Sequence, residues 1–485
     1  SGNDMNVMGA WIAGYTGKGI KVAVVDTGIE VAHEDLNANI DLANSFNFVT
    51  NTNDPTPSAT GHDHGTEVAG LIGAVAFNGK GGRGVAYNVS LRGYNFIANQ
   101  SLVNLSNSLG GAPYSAGNDI FNESFADSLG SLPQTDAASV AITAHTLTLR
   151  NGKGAILVQS AGNEFYRDES SKCTNANYYK VSCGDTATDT RRAGYGPIIV
   201  GAFNSDGIKS SYSTAGTAIW VSAPGGEFGI NESYYPGLIP DRYYPALITT
   251  SITGCNKSAN GVPSLNALDS NGQSPYASNC QYTALMNGTS SAAPNVSAVA
   301  ALMLEANPNL GFRDVKYILA KTAKKIDPNN VGVSSATLVP GATVTLDQGW
   351  VKNAAGYWFS TWYGFGAVDA SAAVSLAKTY TSYLIPEQST NSALRFNNST
   401  SIPYGNTGVT LTFNMNPSFP TVEHVLLFTN LSSTGALTCN QFELTSPSGT
   451  KSILIHAANG YSSDGINYQS SINNSMANQQ QEIGR

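Results

Sequence analysis

The chain has 485 residues, of which 41% are hydrophobic and only 12% charged, about half the usual ~25% charged content. That length allows about three domains at roughly 150 residues each, or one large unit and a smaller one, with enough apolar mass for a sizeable core. A net charge of −8 argues against nucleic-acid binding and attraction to an anionic membrane, and 50 glycines and 23 tyrosines with so little charge exclude a disordered chain or a coiled coil.

Ile20–Asp26 (IKVAVVD) is an almost continuous apolar run ending on an acid and Thr27-Gly28, the pattern of a parallel strand buried on both faces. Ala155–Ser160 (AILVQS) and Ile198–Ala202 (IIVGA) repeat it. Gly65–Ala76 and Ser290–Ala306 place apolar residues at helical spacing, with Pro308 just past the second. Strands alternating with helices up to about Asn330 predict an α/β fold, a mostly parallel sheet with helices on both faces. In such sheets the chemistry lies at the carboxyl ends of strands, where Asp26 falls. Phe165–Gly196 and Gly225–Asn279, rich in Gly, Ser, Asn, Pro and Tyr, read as long surface loops. After about Tyr380 the composition turns to Thr, Ser, Asn and β-branched residues, and Val409–Phe413 and Val422–Phe428 predict strands of an all-β second unit. The expected division is residues 1–380 and residues 381–485.

Of the five cysteines, Cys173, Cys183, Cys255 and Cys280 fall into two close pairs with no C-x-x-C spacing, and Cys439 stands apart. The spacing argues against a zinc ribbon or a thioredoxin motif. Local disulfides Cys173–Cys183 and Cys255–Cys280, formed in an oxidising compartment, are the expectation; four unpaired buried thiols are the alternative. No apolar run reaches the ~18 residues of a membrane span. Ser1-Gly2-Asn3-Asp4 lacks the basic and apolar regions of a signal peptide, so a secreted, extracellular protein would be read here in processed form.

Three islands carry chemistry. Val24-Val25-Asp26-Thr27-Gly28 puts an acid at a strand end; Gly61–Gly70 puts His64 at the start of a small-residue helix; Asn287–Pro294 puts Ser290 at a Gly-preceded helix start. Acyl transfer needs these three groups: a nucleophile, a base to take its proton, and an anion to orient the base and stabilise its charged form. Taken singly, the four polar residues Asp26, His64, Ser290 and Asn163 would read as caps, a core histidine and a turn former. His62 and Asp63 read as loop polars and His33 as a surface residue.

The order Asp26, His64, Ser290 and the flanking patterns D-T-G, H-G-T-x-V-A-G and G-T-S-x-A-A-P resemble those of the subtilases, a family of serine proteases. The resemblance covers Gly9 to about Ala320. It implies Asp26 as orienting acid, His64 as general base and acid, Ser290 as nucleophile, and Asn163 in Gln159–Glu164 as the side-chain donor to the oxyanion. Tyr363–Ala370 resembles the segment that closes many subtilase catalytic domains, and Val422–Val425 and Leu444–Thr450 resemble the P-domain, a β-sandwich carried by kexin-like proprotein convertases.

That branch implies cleavage of protein or peptide substrates after Lys or Arg, with broad specificity or a catalytically lost binding protein as alternatives. Ser124, Phe125 and Ala126 stand where the family has a substrate-binding strand, and Asp168, Glu169, Asp185 and Asp189 are candidate acids for the S1 pocket or, alternatively, solvated loop acids. A structural Ca²⁺ is implied at Asp35, Val75, Asn78, Lys80 and Gly82, largely through main-chain carbonyls; a second convertase calcium site has an acid where this chain has Thr214 and is not expected. No catalytic metal is implied. A propeptide or folding chaperone is a further implied partner, and Arg485 is expected to mark a cleavage after a basic residue. The dibasic pairs Arg191-Arg192 and Lys324-Lys325 must be shielded if the enzyme attacks such pairs.

Overall fold

The computed structural model describes residues 2–125, 137–166, 171–186, 191–192, 194–234, 236–257, 265–382, 384, 405, 408–412, 423–431, 440–460 and 472–478. Its frame is a seven-stranded sheet built from β1 (Lys21–Asp26), β2 (Phe46–Asn47), β3 (Ser90–Asn95), β4 (Ile120–Glu123), β5 (Ile156–Ser160), β6 (Ile198–Phe203) and β7 (Ile219–Pro224). The spatial order is β2-β3-β1-β4-β5-β6-β7, with every pairing parallel.

The helices are α1 (Met8–Ile12), α2 (His64–Gly73), α3 (Leu102–Ser106), α4 (Ala137–Thr146), α5 (Thr174–Tyr179), α6 (Thr289–Ala306), α7 (Phe312–Thr322) and α8 (Ala370–Thr379). The pleat of β1 shows why its sequence is apolar throughout. Val22 and Val24 point into one core with Val68, Val296 and Val299 of α2 and α6, while Ala23 and Val25 point into another with Leu105 of α3 and Leu109, against which Ile142 of α4 packs. A strand covered on both faces has no position for a polar side chain until it emerges at its end.

Helix α6 is buried along most of its length. It packs against α2, α8 and strands β4 to β7, which fixes its start near the carboxyl ends of the strands. An antiparallel pair, β8 (Leu247–Thr250) and β9 (Tyr282–Met286), lies against α2. The Thr249 and Thr250 hydroxyls each donate at 2.7 Å to the carbonyls of Glu67 and Thr66. A Cβ on Gly70 would come within 2.4 Å of both hydroxyl oxygens, so this helix accepts only glycine there.

Further antiparallel pairs join β10 (Val333–Val339) to β11 (Ala342–Asp347), β12 (Val351–Lys352) to β13 (Trp358–Phe359), β14 (Val425–Leu431) to β17 (Ile472–Asn478), and β15 (Phe442–Thr445) to β16 (Lys451–Ile455). The strand expected in Val422–Phe428 begins at Val425, and residues 408–412 carry none. The loop read across Phe165–Gly196 contains α5, and Gly225–Asn279 contains β8.

Both expected disulfides are present, Cys173–Cys183 and Cys255–Cys280; Cys439 lies outside the described residues. The first sits in a small core with Leu346 and Ala457, and the Gly460 N–H donates to the Cys183 carbonyl at 2.8 Å. Glu423 accepts from Tyr195 at 2.7 Å and pairs with Arg313. These contacts tie the carboxyl-terminal β segments to the α/β unit. Among the described residues no helix is long and apolar enough to cross a membrane.

Candidate active site

Strand β1 ends on Asp26, whose side chain is fully buried. One carboxylate oxygen, Oδ1, accepts the Thr27 N–H at 2.7 Å and lies 2.8 Å from His64 Nδ1. A carboxylate at neutral pH only accepts, so Nδ1 carries the proton and Nε2 is left as the basic nitrogen. Thr27 fixes the approach: its hydroxyl donates to the His62 carbonyl at 3.0 Å and accepts the Gly65 N–H at 2.9 Å. A Cβ at Gly65 would meet the Gly28 carbonyl oxygen at 2.2 Å, which explains glycine immediately after the histidine.

Burial alone would lower the pKa of His64. The charge and hydrogen bond of Asp26, helped by the charges of Glu67 and Asp63, overcome it and hold the imidazole above its ordinary value. Glu67 is itself pushed up to about 8, chiefly by burial and then by the charge of Asp63. The imidazole side chain keeps 33% exposure, so it remains open to a substrate. Asp63, read as a loop polar, is buried at the N-terminal boundary of α2. His33 is also buried rather than on the surface: its Nδ1 accepts the Asp35 N–H at 3.1 Å and Nε2 lies 2.8 Å from the Gln281 carbonyl.

Ser290 occupies the first turn of α6, after Gly288 with φ +89°. Its hydroxyl donates to the Ser124 carbonyl at 2.9 Å, and the Ser124 hydroxyl donates to the Ser290 carbonyl at 2.9 Å. Pro294 explains the second bond. Lacking an N–H, it cannot reach back four residues to the Ser290 carbonyl, and Ser124 supplies the missing donor. The substrate-strand candidate Ser124 is therefore locked to the nucleophile candidate.

Asn163 follows β5. Its Oδ1 accepts the Thr289 N–H at 2.8 Å and the Thr289 hydroxyl at 3.1 Å, while that hydroxyl accepts the Gly162 N–H at 2.9 Å. A backbone N–H can only donate, so the oxygen of the Asn163 amide faces Thr289 and the NH₂ is left to donate elsewhere. The Ser290 N–H belongs to the first helical turn, where no intrahelical carbonyl reaches it.

Phe125 lies beside this site with its carbonyl 3.5 Å from Arg192 Nη2. Asp185 is buried, in an isolated bridge with Ala215. Ala126, Asp168, Glu169 and Asp189 lie outside the described residues. Sequence reasoning missed Thr27 and Thr289, although each directly follows or precedes a singled-out residue, and it missed the pairing of Glu123 with Arg191 at 2.8 Å.

The calcium candidates also come together. Asp35 is fully buried; its carboxylate accepts from Asn78 Nδ2 at 2.6 Å and from the Gly82 N–H at 3.2 Å, and burial pushes its carboxyl up. The Val75 N–H bonds the Asp35 carbonyl at 2.8 Å, and the Lys80 N–H bonds Asn78 Oδ1 at 3.0 Å. The Lys80 ammonium turns instead to Glu34, at 3.0 Å. A buried carboxylate held here only by neutral donors carries uncompensated negative charge, which suits a hard cation. Among the described residues no group of three or more His, Cys, Asp or Glu could hold a metal, so ligation would draw on carbonyl oxygens.

A model of the subtilase family matches residues 17–357. The chain is 35% identical over 395 residues to an extracellular serine protease of Aeromonas sobria, covering 78% of this chain and 60% of that protein. It is 28% identical over 386 residues to kexin of Saccharomyces cerevisiae, covering 78% of this chain and 38% of that protein. A crystal structure of the Aeromonas sobria serine protease in complex with a chaperone matches with a TM-score of 0.76 at 29% identity, over 95% of this chain and 77% of that one. The chain thus spans about 60% of the length of the Aeromonas relatives it matches. With the family match extending over most of the chain, on the frame that brings Asp26 to His64 and Asn163 to the start of α6, the chain belongs to the subtilase family.

Proposed function

We propose that the chain is a secreted serine endopeptidase that hydrolyses peptide bonds through an acyl-enzyme. The carrying observation is the 2.8 Å pairing of Asp26 with His64 Nδ1, which leaves Nε2 as the base. Ser290 Oγ turns from the Ser124 carbonyl toward His64 and attacks the scissile carbonyl carbon as Nε2 takes its proton. The oxyanion receives the Asn163 Nδ2 donor and the Ser290 N–H. His64 then protonates the leaving amine as the C–N bond breaks, and a water activated by the same nitrogen releases the acid and restores Ser290. Asp26 keeps its hydrogen bond to Nδ1 and stabilises the imidazolium.

Residues 381–485 are proposed as a P-domain-like β unit docked through Glu423 and Gly460. Asp35 and Asn78, with carbonyls of Val75, Lys80 and Gly82, would hold calcium. When bound, the ion supplies positive charge that stabilises the buried carboxylate and its loop. Disulfides and the extracellular relative support secretion. The Aeromonas protease crystallised with a chaperone supports a folding chaperone or propeptide as a partner of this chain.

Resemblance to kexin supports a Lys or Arg preference at P1, with Asp185, Asp168, Glu169 or Asp189 as its acid. One observation speaks against that preference: the buried carboxylate of Glu123, at the end of β4, is already paired with the chain's own Arg191. Hydrolysis of internally quenched peptides by the purified protein tests the activity. The wild type is expected to cleave and Ser290→Ala to lose all turnover above background; equal rates for the two would overturn the reading.

A further inference from the structure

We infer that Arg192 is a specificity-determining residue which closes the far end of the P1 slot, so that the slot takes compact uncharged side chains and rejects Lys and Arg. The inference rests on the serine endopeptidase reading above. With the scissile carbon at Ser290 Oγ and its oxygen at Asn163, the P1 side chain is attached one bond away. It must leave between the segment carrying Ser124-Phe125 and the segment carrying Ala161-Gly162.

These are the two segments that Arg192 bridges. Its Nη1 donates to the Ala161 carbonyl at 2.9 Å, and its Nη2 lies 3.5 Å from the Phe125 carbonyl. A Cβ built on Gly162 would lie 3.3 Å from Nη1 and 3.1 Å from the Thr214 hydroxyl, so the guanidinium is packed against Gly162 and not extended into solvent. Arg192 is only 6% exposed, and Arg191 8%.

Next to it, Arg191 forms a buried ion pair. Its Nη1 pairs with Glu123 at 2.8 Å, and its guanidinium stands over the Phe125 ring at 5.6 Å. Glu123 is fully buried and also accepts from Gln159. A long basic P1 side chain would have to displace the buried Arg192 guanidinium, while the nearby Glu123 carboxylate is already paired with Arg191. Like charges brought together at a desolvated site are strongly disfavoured. A short side chain requires no such displacement. The same burial shields the Arg191-Arg192 pair from cleavage by another copy of the enzyme.

The test is a set of fluorogenic peptides varied only at P1, assayed with the wild type, Arg192→Ala and Arg192→Met, alongside labelling by a serine-directed fluorophosphonate. The wild type should cleave after Ala, Ser or Thr with kcat/KM at least roughly tenfold above that after Arg or Lys. Arg192→Ala should narrow or reverse that ratio, by about tenfold or more, while retaining cleavage after Ala. Arg192→Met keeps the length without the charge and should narrow the ratio less. A wild type that prefers Arg or Lys, or active variants with an unchanged ratio, would overturn the inference. The wild-type ranking needs no variant, so misfolding of both substitutions leaves the claim exposed. Absence of labelling and of cleavage after every P1 residue would instead overturn the endopeptidase reading itself, and this inference with it.

Discussion

Asn163 and Thr289 are joined twice, by the Thr289 N–H at 2.8 Å and the Thr289 hydroxyl at 3.1 Å, both on the Asn163 amide oxygen. The pairing decides the orientation of the amide without reference to any substrate and aims its NH₂ as a preorganised donor. Replacing Asn163 with Ala should lower kcat by about 10²–10³ with little change in KM. A steady-state comparison on one peptide checks this; a purely structural role would raise KM or lower the melting temperature instead.

The Asp26–His64 pair makes a pH prediction. Because Asp26 holds the imidazole above its ordinary value of 6.5, the acid limb of kcat/KM should have its midpoint above 6.5. Activity should keep rising with pH beyond the point where a free histidine has lost its proton. The linked stability runs the other way: it is fully present below the unfolded pKa and is lost as pH rises through the folded one. Asp26→Asn should move the limb down and cut kcat by about 10⁴. A limb that stays in place in that variant would show that Asp26 is not the cause.

Calcium should stabilise through Asp35. Chelation should lower the melting temperature, and saturating calcium should restore it; a site held at a hundred times its Kd contributes about 2.7 kcal/mol. Asp35→Asn should start lower and respond little to either treatment. Thermal unfolding with and without chelator measures both.

The Cys255–Cys280 bridge closes a loop with a sequence separation of 25, for which chain entropy gives about 3.5 kcal/mol. It pins the loop leading into β9, which packs on the His64 helix through β8. Paired Cys255→Ser and Cys280→Ser substitutions should lower unfolding free energy by about 2–4 kcal/mol, read from denaturant titration.

The parallel sheet, its two covered faces and the islands around Asp26, His64, Asn163 and Ser290 were legible because periodicity and strand-end position are local properties of the chain. What lay beyond reading is non-local. Glu123 and Arg191 are 68 residues apart, and nothing near either one announces the other. Arg191-Arg192 looks like a cleavage site in sequence, whereas both side chains are buried and Arg192 bridges the segments that follow β4 and β5. His33 was misplaced because a lone histidine in a polar segment gives no sign of the Gln281 carbonyl it meets across the fold. Short α5 escaped because six residues between disulfide-linked turns carry too little periodicity to register.

The central claim is that Ser290 is an activated nucleophile. The most direct measurement is intact mass after exposure to a serine-directed fluorophosphonate, with peptide mapping of the adduct. Stoichiometric addition at Ser290 is expected, abolished in Ser290→Ala and slowed in His64→Ala. An unmodified wild type, or an adduct on another residue, would contradict it.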